Sequence, residues 1–272
     1  MKQKNTLKTI LLDMDGVLWQ GPQPVLEIRL LFDRIQKLGA QALCVTNNST
    51  RSVSYHLDML KGFGVSLDPS SIITSAEATA HYLEGKFPRR GSLFVIGESG
   101  LRDALVRSGF QVLADGSGKE AIAVVIGLDR EFTYRDLELA VRYVGQGAEF
   151  IGTNPDLTIP TPTGVAPGAG AIIRGVELSS GKKAHIIGKP HPELFTLALT
   201  RAKSLPSETL MIGDRLETDI LGAQKMGMKT AVVLTGITRE EQAATWDPKP
   251  DIIAADALQV LDAIRNNDGK FV

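Results

Sequence analysis

Short apolar runs alternate along nearly the whole chain with stretches of helical periodicity. The runs fall at Thr9–Leu12, Ala42–Val45, Ser71–Thr74, Leu93–Ile96 and Ile122–Ile126, then at His185–Ile187, Leu210–Ile212, Ala231–Leu234 and Asp251–Ala254. They are too short for helices and predict buried strands. Between them apolar residues recur three and four apart, as in Leu26/Leu30/Leu31/Ile35/Leu38, Leu137/Ala140/Val141/Val144, Leu194/Leu197/Ala198 and Ala257/Val260/Leu261/Ile264. That period gathers them on one helical face. Gly39, Gly109, Gly145 and Gly227 stand where helices should stop. Alternation over this length predicts an α/β architecture with mainly parallel sheets, whose sites lie at the carboxyl ends of strands.

Composition narrows the partners. The 272 residues allow one large domain or two smaller ones, and no repeat, low-complexity segment or extended linker stands out. Thirty Lys and Arg against 31 Asp and Glu leave a net charge of −1, so no chain-wide basic field exists to draw nucleic acid or an anionic membrane. The single cysteine, Cys44, excludes an internal disulfide framework and fits a reducing compartment. Met1-Lys2-Gln3-Lys4 is basic, but the apolar stretch after it is too short for a signal-peptide core, and no run approaches a membrane span. A cytoplasmic protein is expected.

The candidate chemistry sits at the strand ends. The first strand runs into Asp13-Met14-Asp15-Gly16. Strand side chains alternate, so both aspartates should face one way and Met14 the other. Two unit charges about 4 Å apart repel by about 4 kcal/mol at an effective dielectric of about 20. Such a pair calls for a cation or a shared proton, although an isolated D-x-D-G also suits an ordinary polar turn. The second strand ends in Thr46-Asn47-Asn48-Ser49-Thr50 before a helix, a composition for an anion site or for plain capping. Lys189, in Gly188-Lys189-Pro190-His191-Pro192, projects from a strand–helix junction and is a candidate phosphate partner. Gly213-Asp214-Arg215-Leu216-Glu217-Thr218-Asp219 places another carboxylate at a buried strand end and a further one five residues on.

In this order and placement the four pieces resemble the motifs of the haloacid dehalogenase superfamily. Asp-Met-Asp-Gly-Val-Leu, Thr-Asn-Asn, Gly-Lys-Pro and Gly-Asp-Arg-x-x-Thr-Asp are similar to its class IIA phosphatases, and the resemblance spans essentially the whole chain. It implies a Rossmann-like parallel-sheet core, residues 1–80 and 186–272, interrupted by an inserted α/β cap of the C2 type, residues 81–185. It implies a Mg²⁺-dependent phosphatase acting on small phosphate monoesters of the nucleotide, sugar phosphate, phosphoglycolate or pyridoxal phosphate class. Asp13 is then the nucleophile that forms an aspartyl-phosphate, and Asp15 the general acid and base. Asp13, the Asp15 carbonyl and Asp214 are the expected Mg²⁺ ligands, with Asp219 a shell further out. Thr46, Asn47 and Lys189 would hold phosphate oxygens. Asn154 and Asp156, in Gly152-Thr153-Asn154-Pro155-Asp156, and the stretch Pro160–Gly170 resemble the substrate-facing region of class IIA caps. Homodimerisation through the cap is implied by the resemblance alone.

Other features earn ordinary roles. Gly118-Lys119 and Gly181-Lys182 lack the spacing of a phosphate-binding P-loop. The four histidines show no ligand spacing, and Cys44 lies within an apolar strand. Asp15 argues against a dehalogenase proper, which lacks the second acid. A phosphomutase would keep all four motifs and differ in how its cap excludes water. A receiver-type signalling domain uses a similar aspartyl-phosphate but is much shorter. A silent binding protein would not need every reactive group.

Overall fold

The computed structural model describes residues 7–114, 120–161 and 164–266; Met1–Lys4 and Gly118-Lys119 lie outside them. The strands are β1 (Thr9–Leu12), β2 (Trp19–Gln20), β3 (Gln23–Pro24), β4 (Gln41–Thr46), β5 (Ile72–Thr74), β6 (Ser92–Ile96), β7 (Gln111–Val112), β8 (Ala123–Ile126), β9 (Glu149–Gly152), β10 (Thr158–Thr161), β11 (Gly164–Pro167), β12 (His185–Ile186), β13 (Thr209–Gly213), β14 (Lys229–Val233) and β15 (Ile252–Ala254). The helices are α1 (Ile28–Lys37), α2 (Val53–Gly62), α3 (Ser75–Lys86), α4 (Ser99–Arg107), α5 (Tyr134–Gly145), α6 (Ala169–Ser180), α7 (Pro192–Ala202), α8 (Leu221–Lys225), α9 (Glu240–Thr245) and α10 (Ala257–Asn266). Every run expected to be a strand is one. The chain divides into two compact units, Met1–Thr46 with Ser54–Ile73 and Phe195–Val272, and Asn47–Val53 with Thr74–Leu194.

The first unit is built on a six-stranded sheet in the order β15-β14-β13-β1-β4-β5. Its central strand β1 is buried at every position, which is why Thr9-Ile10-Leu11-Leu12 lacks the polar alternation of a half-exposed strand. It pairs in parallel with β13 (Leu12 beside Ile212) and with β4 (Leu12 beside Cys44), and β13 pairs in parallel with β14 (Gly213 beside Val232). The chain continues to β4 and β5 on one side of β1 and returns to β13, β14 and β15 on the other. The carboxyl ends of these neighbours therefore open at a topological switch point.

The second unit holds a five-stranded sheet, β12-β9-β8-β6-β7, with every adjacent pair parallel. Phe94, Val124 and Ile126 pack there with Leu139, Val144, Ile173 and Val176 of α5 and α6. The mixed α/β class with parallel sheets is as expected. Six strands were not, the short β2 and β3 of the first unit and four in the second. β7 and β9 carry too few apolar residues to stand out. β10 and β11 form a two-stranded antiparallel ribbon in the stretch expected as a loop, and α6 begins inside that stretch at Ala169. Each ribbon strand has an outer edge that needs no partner, so proline's missing N–H is tolerated. Gly145 is the last residue of α5 rather than its stop; Gly147, at φ +103°, takes the left-handed turn. Among the described residues no helix is long and apolar enough to cross a membrane.

Candidate active site

β1 delivers Asp13, whose N–H donates to the Ile212 carbonyl (2.9 Å) and so ties it to β13. The chain then reverses: Leu18 N–H reaches Met14 O (2.9 Å) and Gly16 N–H reaches Trp19 O (2.7 Å). Gly16 is needed twice over. Its φ is +84°, and a Cβ there would lie 2.5 Å from Asp214 Oδ2. Asp13 is buried and Asp15 exposed, so the turn rather than strand alternation sets where the second carboxylate goes.

Asp214 follows β13. Its Oδ2 accepts from Ile237 N–H (2.9 Å) and its carbonyl from Thr238 N–H (3.1 Å). Asp219 lies on a π-helical turn, Leu216–Ile220, in which Ile220 N–H reaches back five residues to Arg215 O (3.4 Å). Arg215 N–H in turn donates to Asp219 Oδ2 (3.1 Å). Gly213 allows this return, because a Cβ on it would lie 2.3 Å from Asp219 Cβ. Asp13, Asp214 and Asp219 are all buried, and carboxylate oxygens of the three lie within 4.8 Å of one another. Asp219, expected a shell further out, thus has an oxygen in the same cluster. Spacing along the sequence does not reveal the π turn that carries it there.

A set of buried, anionic, hard oxygen donors suits Mg²⁺, and three carboxylates this close need a cation or protons to offset their repulsion. The donors present therefore fit the metal the motifs imply. Cys44 registers the local negative charge. Burial first, and the Asp13 carboxylate second, push its thiol up to about 12, so it is protonated and inert at neutral pH.

Thr46, the last residue of β4, is 2% exposed. In the second unit Asn47 is the hub of a polar network. Its Nδ2 donates to the Lys189 carbonyl (3.0 Å) and to Asp156 Oδ2 (3.2 Å), and its carbonyl accepts from Asn154 Nδ2 (2.9 Å) and Ser75 Oγ (2.6 Å). Two acceptors around Nδ2 fix the amide's orientation. Gly188 is required beside it, since a Cβ would lie 2.5 Å from Thr153 O and 2.6 Å from Asn47 Oδ1. Lys189 is 2% exposed and Asn154 5%. The Pro155–Asp156 turn packs so closely on Gly168 and Gly170 that a Cβ on either would lie 2.3 Å from a carbonyl oxygen. Those glycines of the Pro/Gly-rich stretch serve close approach rather than turning. Asn48 Oδ1 accepts from Thr50 N–H (2.9 Å), so Asn48 folds its own turn and α2 starts only at Val53. A cleft of about 540 Å³ in this unit is lined by Leu128, Arg130, Phe132 and Ile172 with Thr161, Ala166 and Pro167 of the Pro/Gly-rich stretch, but by neither Asn154 nor Asp156.

Two contributors were missed. Ser75, which opens α3, holds the Asn47 carbonyl; nothing in its neighbourhood marks it. Thr235-Gly236-Ile237-Thr238 grips Asp214, and its position directly after the run Ala231–Leu234 was the available signal.

Comparison with known proteins places the chain in a family. The sequence matches the haloacid dehalogenase-like hydrolase family over residues 10–111 and a HAD-hydrolase-like family over residues 186–260. It is 34% identical to an acid sugar phosphatase of Staphylococcus haemolyticus over 97% of this chain and 98% of that protein. The p-nitrophenyl phosphatase of Archaeoglobus fulgidus superposes with a TM-score of 0.88 at 27% identity, covering 95% of this chain and 99% of that one. NagD of E. coli superposes with a TM-score of 0.84 at 29% identity, covering 93% and 97%. The chain belongs to the haloacid dehalogenase superfamily, as a phosphatase of its class IIA branch.

Proposed function

We propose that the protein hydrolyses small phosphate monoesters, sugar phosphates foremost, in a Mg²⁺-dependent reaction that phosphorylates Asp13. The observation that carries this reading is the buried cluster of Asp13, Asp214 and Asp219 at neighbouring strand ends. The sugar phosphate class is favoured by the named activity of the staphylococcal relatives.

Phosphate monoesters are among the slowest compounds to hydrolyse unaided, and a carboxylate is repelled by their charge. Asp13, Asp214 and the Asp15 carbonyl, with Asp219 alongside, would hold Mg²⁺, whose positive charge would offset this repulsion. Lys189 and the Asn47 and Thr46 groups hold the phosphate oxygens. A carboxylate oxygen of Asp13 attacks phosphorus and the ester P–O bond breaks, while Asp15 gives its proton to the departing alcohol oxygen. Asp15, now a carboxylate, takes a proton from water. The water oxygen bonds to phosphorus, the bond to Asp13 breaks, and inorganic phosphate leaves. Asn154 and Asp156 belong to the cap segment to which selection among organic groups is assigned.

Acid quenching of the protein with an isotopically labelled phosphate ester tests the scheme. Label should be found on Asp13 in the wild type and be absent from Asp13→Asn, whose turnover is lost. Chelation should abolish phosphate release and Mg²⁺ restore it. Near-normal kcat in Asp13→Asn, or full turnover in a chelator, overturns the proposal.

A further inference from the structure

β14 lies beside β13 in parallel register, so the residues that follow it emerge at the same sheet end as Asp214. The loop there is fastened at several points. Leu234 N–H donates to Ala254 O (3.0 Å), Thr235 Oγ1 to Gly16 O (2.5 Å), and Gln20 Nε2 to Thr235 O (2.6 Å). Two consecutive N–H groups, of Ile237 and Thr238, then close on Asp214 at its Oδ2 and its carbonyl.

Between these anchors stands Gly236. Its φ lies outside the left-handed region, so the backbone there would accept an L side chain; the neighbour would not. A Cβ on Gly236 would lie 1.9 Å from Asp214 Oδ2, 2.4 Å from Cγ and 2.5 Å from Cβ. Because Asp214 Cβ is itself in the way, no change of side-chain rotamer relieves the clash. Either the end of β13 or the loop must move, and the bond from Ile237 N–H to Asp214 Oδ2 joins the two parts that would shift. Gly16 also comes close, with its own Cβ position 2.5 Å from the same oxygen. One carboxylate oxygen is thus approached closely by two glycines and capped by an N–H.

We infer that Thr235–Thr238 is a collar that sets the orientation of the Asp214 carboxylate for the cation, with Gly236 and the Ile237 N–H as positioning groups outside the four motifs. The inference rests on the reading that Asp214 is a Mg²⁺ ligand. Groups that orient a metal ligand typically alter metal affinity about 10–100-fold when removed.

The test is calorimetric Mg²⁺ titration of the whole protein, beside the Mg²⁺ dependence of phosphate release. Gly236→Ala should weaken Mg²⁺ binding by about tenfold or more, while circular dichroism stays native and the KM for the ester at saturating Mg²⁺ changes little. Thr235→Val, which removes only the anchor to Gly16, should weaken it by a smaller factor. Gly62→Ala, at a helix position with open space around it, should leave binding unchanged. Wild-type Mg²⁺ affinity in folded Gly236→Ala overturns the collar while leaving the metal reading intact. Should that variant not fold, wild-type affinity in Thr235→Val overturns it equally. A wild-type protein that binds no Mg²⁺ and turns over fully in a chelator removes the metal reading and the collar with it.

Discussion

At Cys44 burial and the Asp13 carboxylate act in one direction, holding the thiol protonated to about 12. The unfolded thiol ionises near its ordinary value of about 8.5. Below that pH both states carry the proton and stability is unaffected. Above it the unfolded state binds fewer protons, so stability falls as pH rises, until the native thiol also ionises. The stability difference between wild type and Cys44→Ala should therefore shrink by about 1.4 kcal/mol per pH unit between about pH 9 and about pH 12. Denaturation of both at pH 8 and pH 10 checks it, and native protein should resist thiol alkylation at pH 8. Asn154 is buried and donates to the Asn47 carbonyl, whereas Asp156 is only half-buried. Asn154→Ala should lower kcat/KM about fivefold, the worth of one hydrogen bond of about 1 kcal/mol, and by the same factor for every ester. Asp156→Ala should reorder preference among them. A panel of at least three unlike esters separates these outcomes, and reordering by Asn154→Ala would place it against the organic group instead.

At the scale of elements, α6 is tied to the start of β12 through one carboxylate. Glu177 Oε1 accepts from Ala184 N–H (3.0 Å), and Oε2 from Arg174 (2.5 Å) and Lys183 (3.3 Å). Burial acts to raise its pKa, but the Ala184 N–H, Arg174 and Lys183 together outweigh it and hold the carboxyl below its ordinary value. A depressed native pKa stabilises the fold above the unfolded value, and that contribution is lost as pH falls through the native one. Glu177→Gln keeps an acceptor for Ala184 but gives up the charge, so it should cost about 1–2 kcal/mol at pH 7. The gap to wild type should begin to close as pH falls below the unfolded carboxyl's value of about 4.3 and vanish only once the native carboxyl is protonated as well. Thermal melts from pH 7 down to about pH 2 test this; a gap that stays constant over that range would mean that the lost stability is packing rather than charge.

Over the whole molecule, the carboxylate cluster and the Asn154–Asp156 segment fall on different stretches of chain. Asp13, Asp15, Thr46, Asp214 and Asp219 belong to the first unit, and Asn154 and Asp156 to the second. Lys189 is carried by the second unit as well, beside Asn47. Every substrate presents the same phosphoryl group, so Lys189→Ala should weaken kcat/KM for all esters of the panel alike. Reordered preference in that variant would mean that Lys189 reads the leaving group, and would break the division.

What was legible in the sequence follows from local physics. Strands buried on both faces read as continuous apolar runs, so Thr9–Leu12 and Leu210–Ile212 were visible, and with them the strand ends that carry Asp13 and Asp214. The ribbon of β10 and β11 was not, because its prolines and glycines signal turns while its pairing depends on a partner strand. Only the tertiary structure decided that Asp219 swings into the carboxylate cluster, since a π turn leaves no periodic trace. The same holds for Gly213 and Gly236, and for the close contact at Gly16, whose sharp turn was legible from its place after Asp15. Their need for glycine lies in close contacts with Asp214 and Asp219, and at Gly16 also in a left-handed φ. Composition and spacing along a chain specify which groups a strand delivers, but the distance between two groups brought together by different strands is set by packing alone.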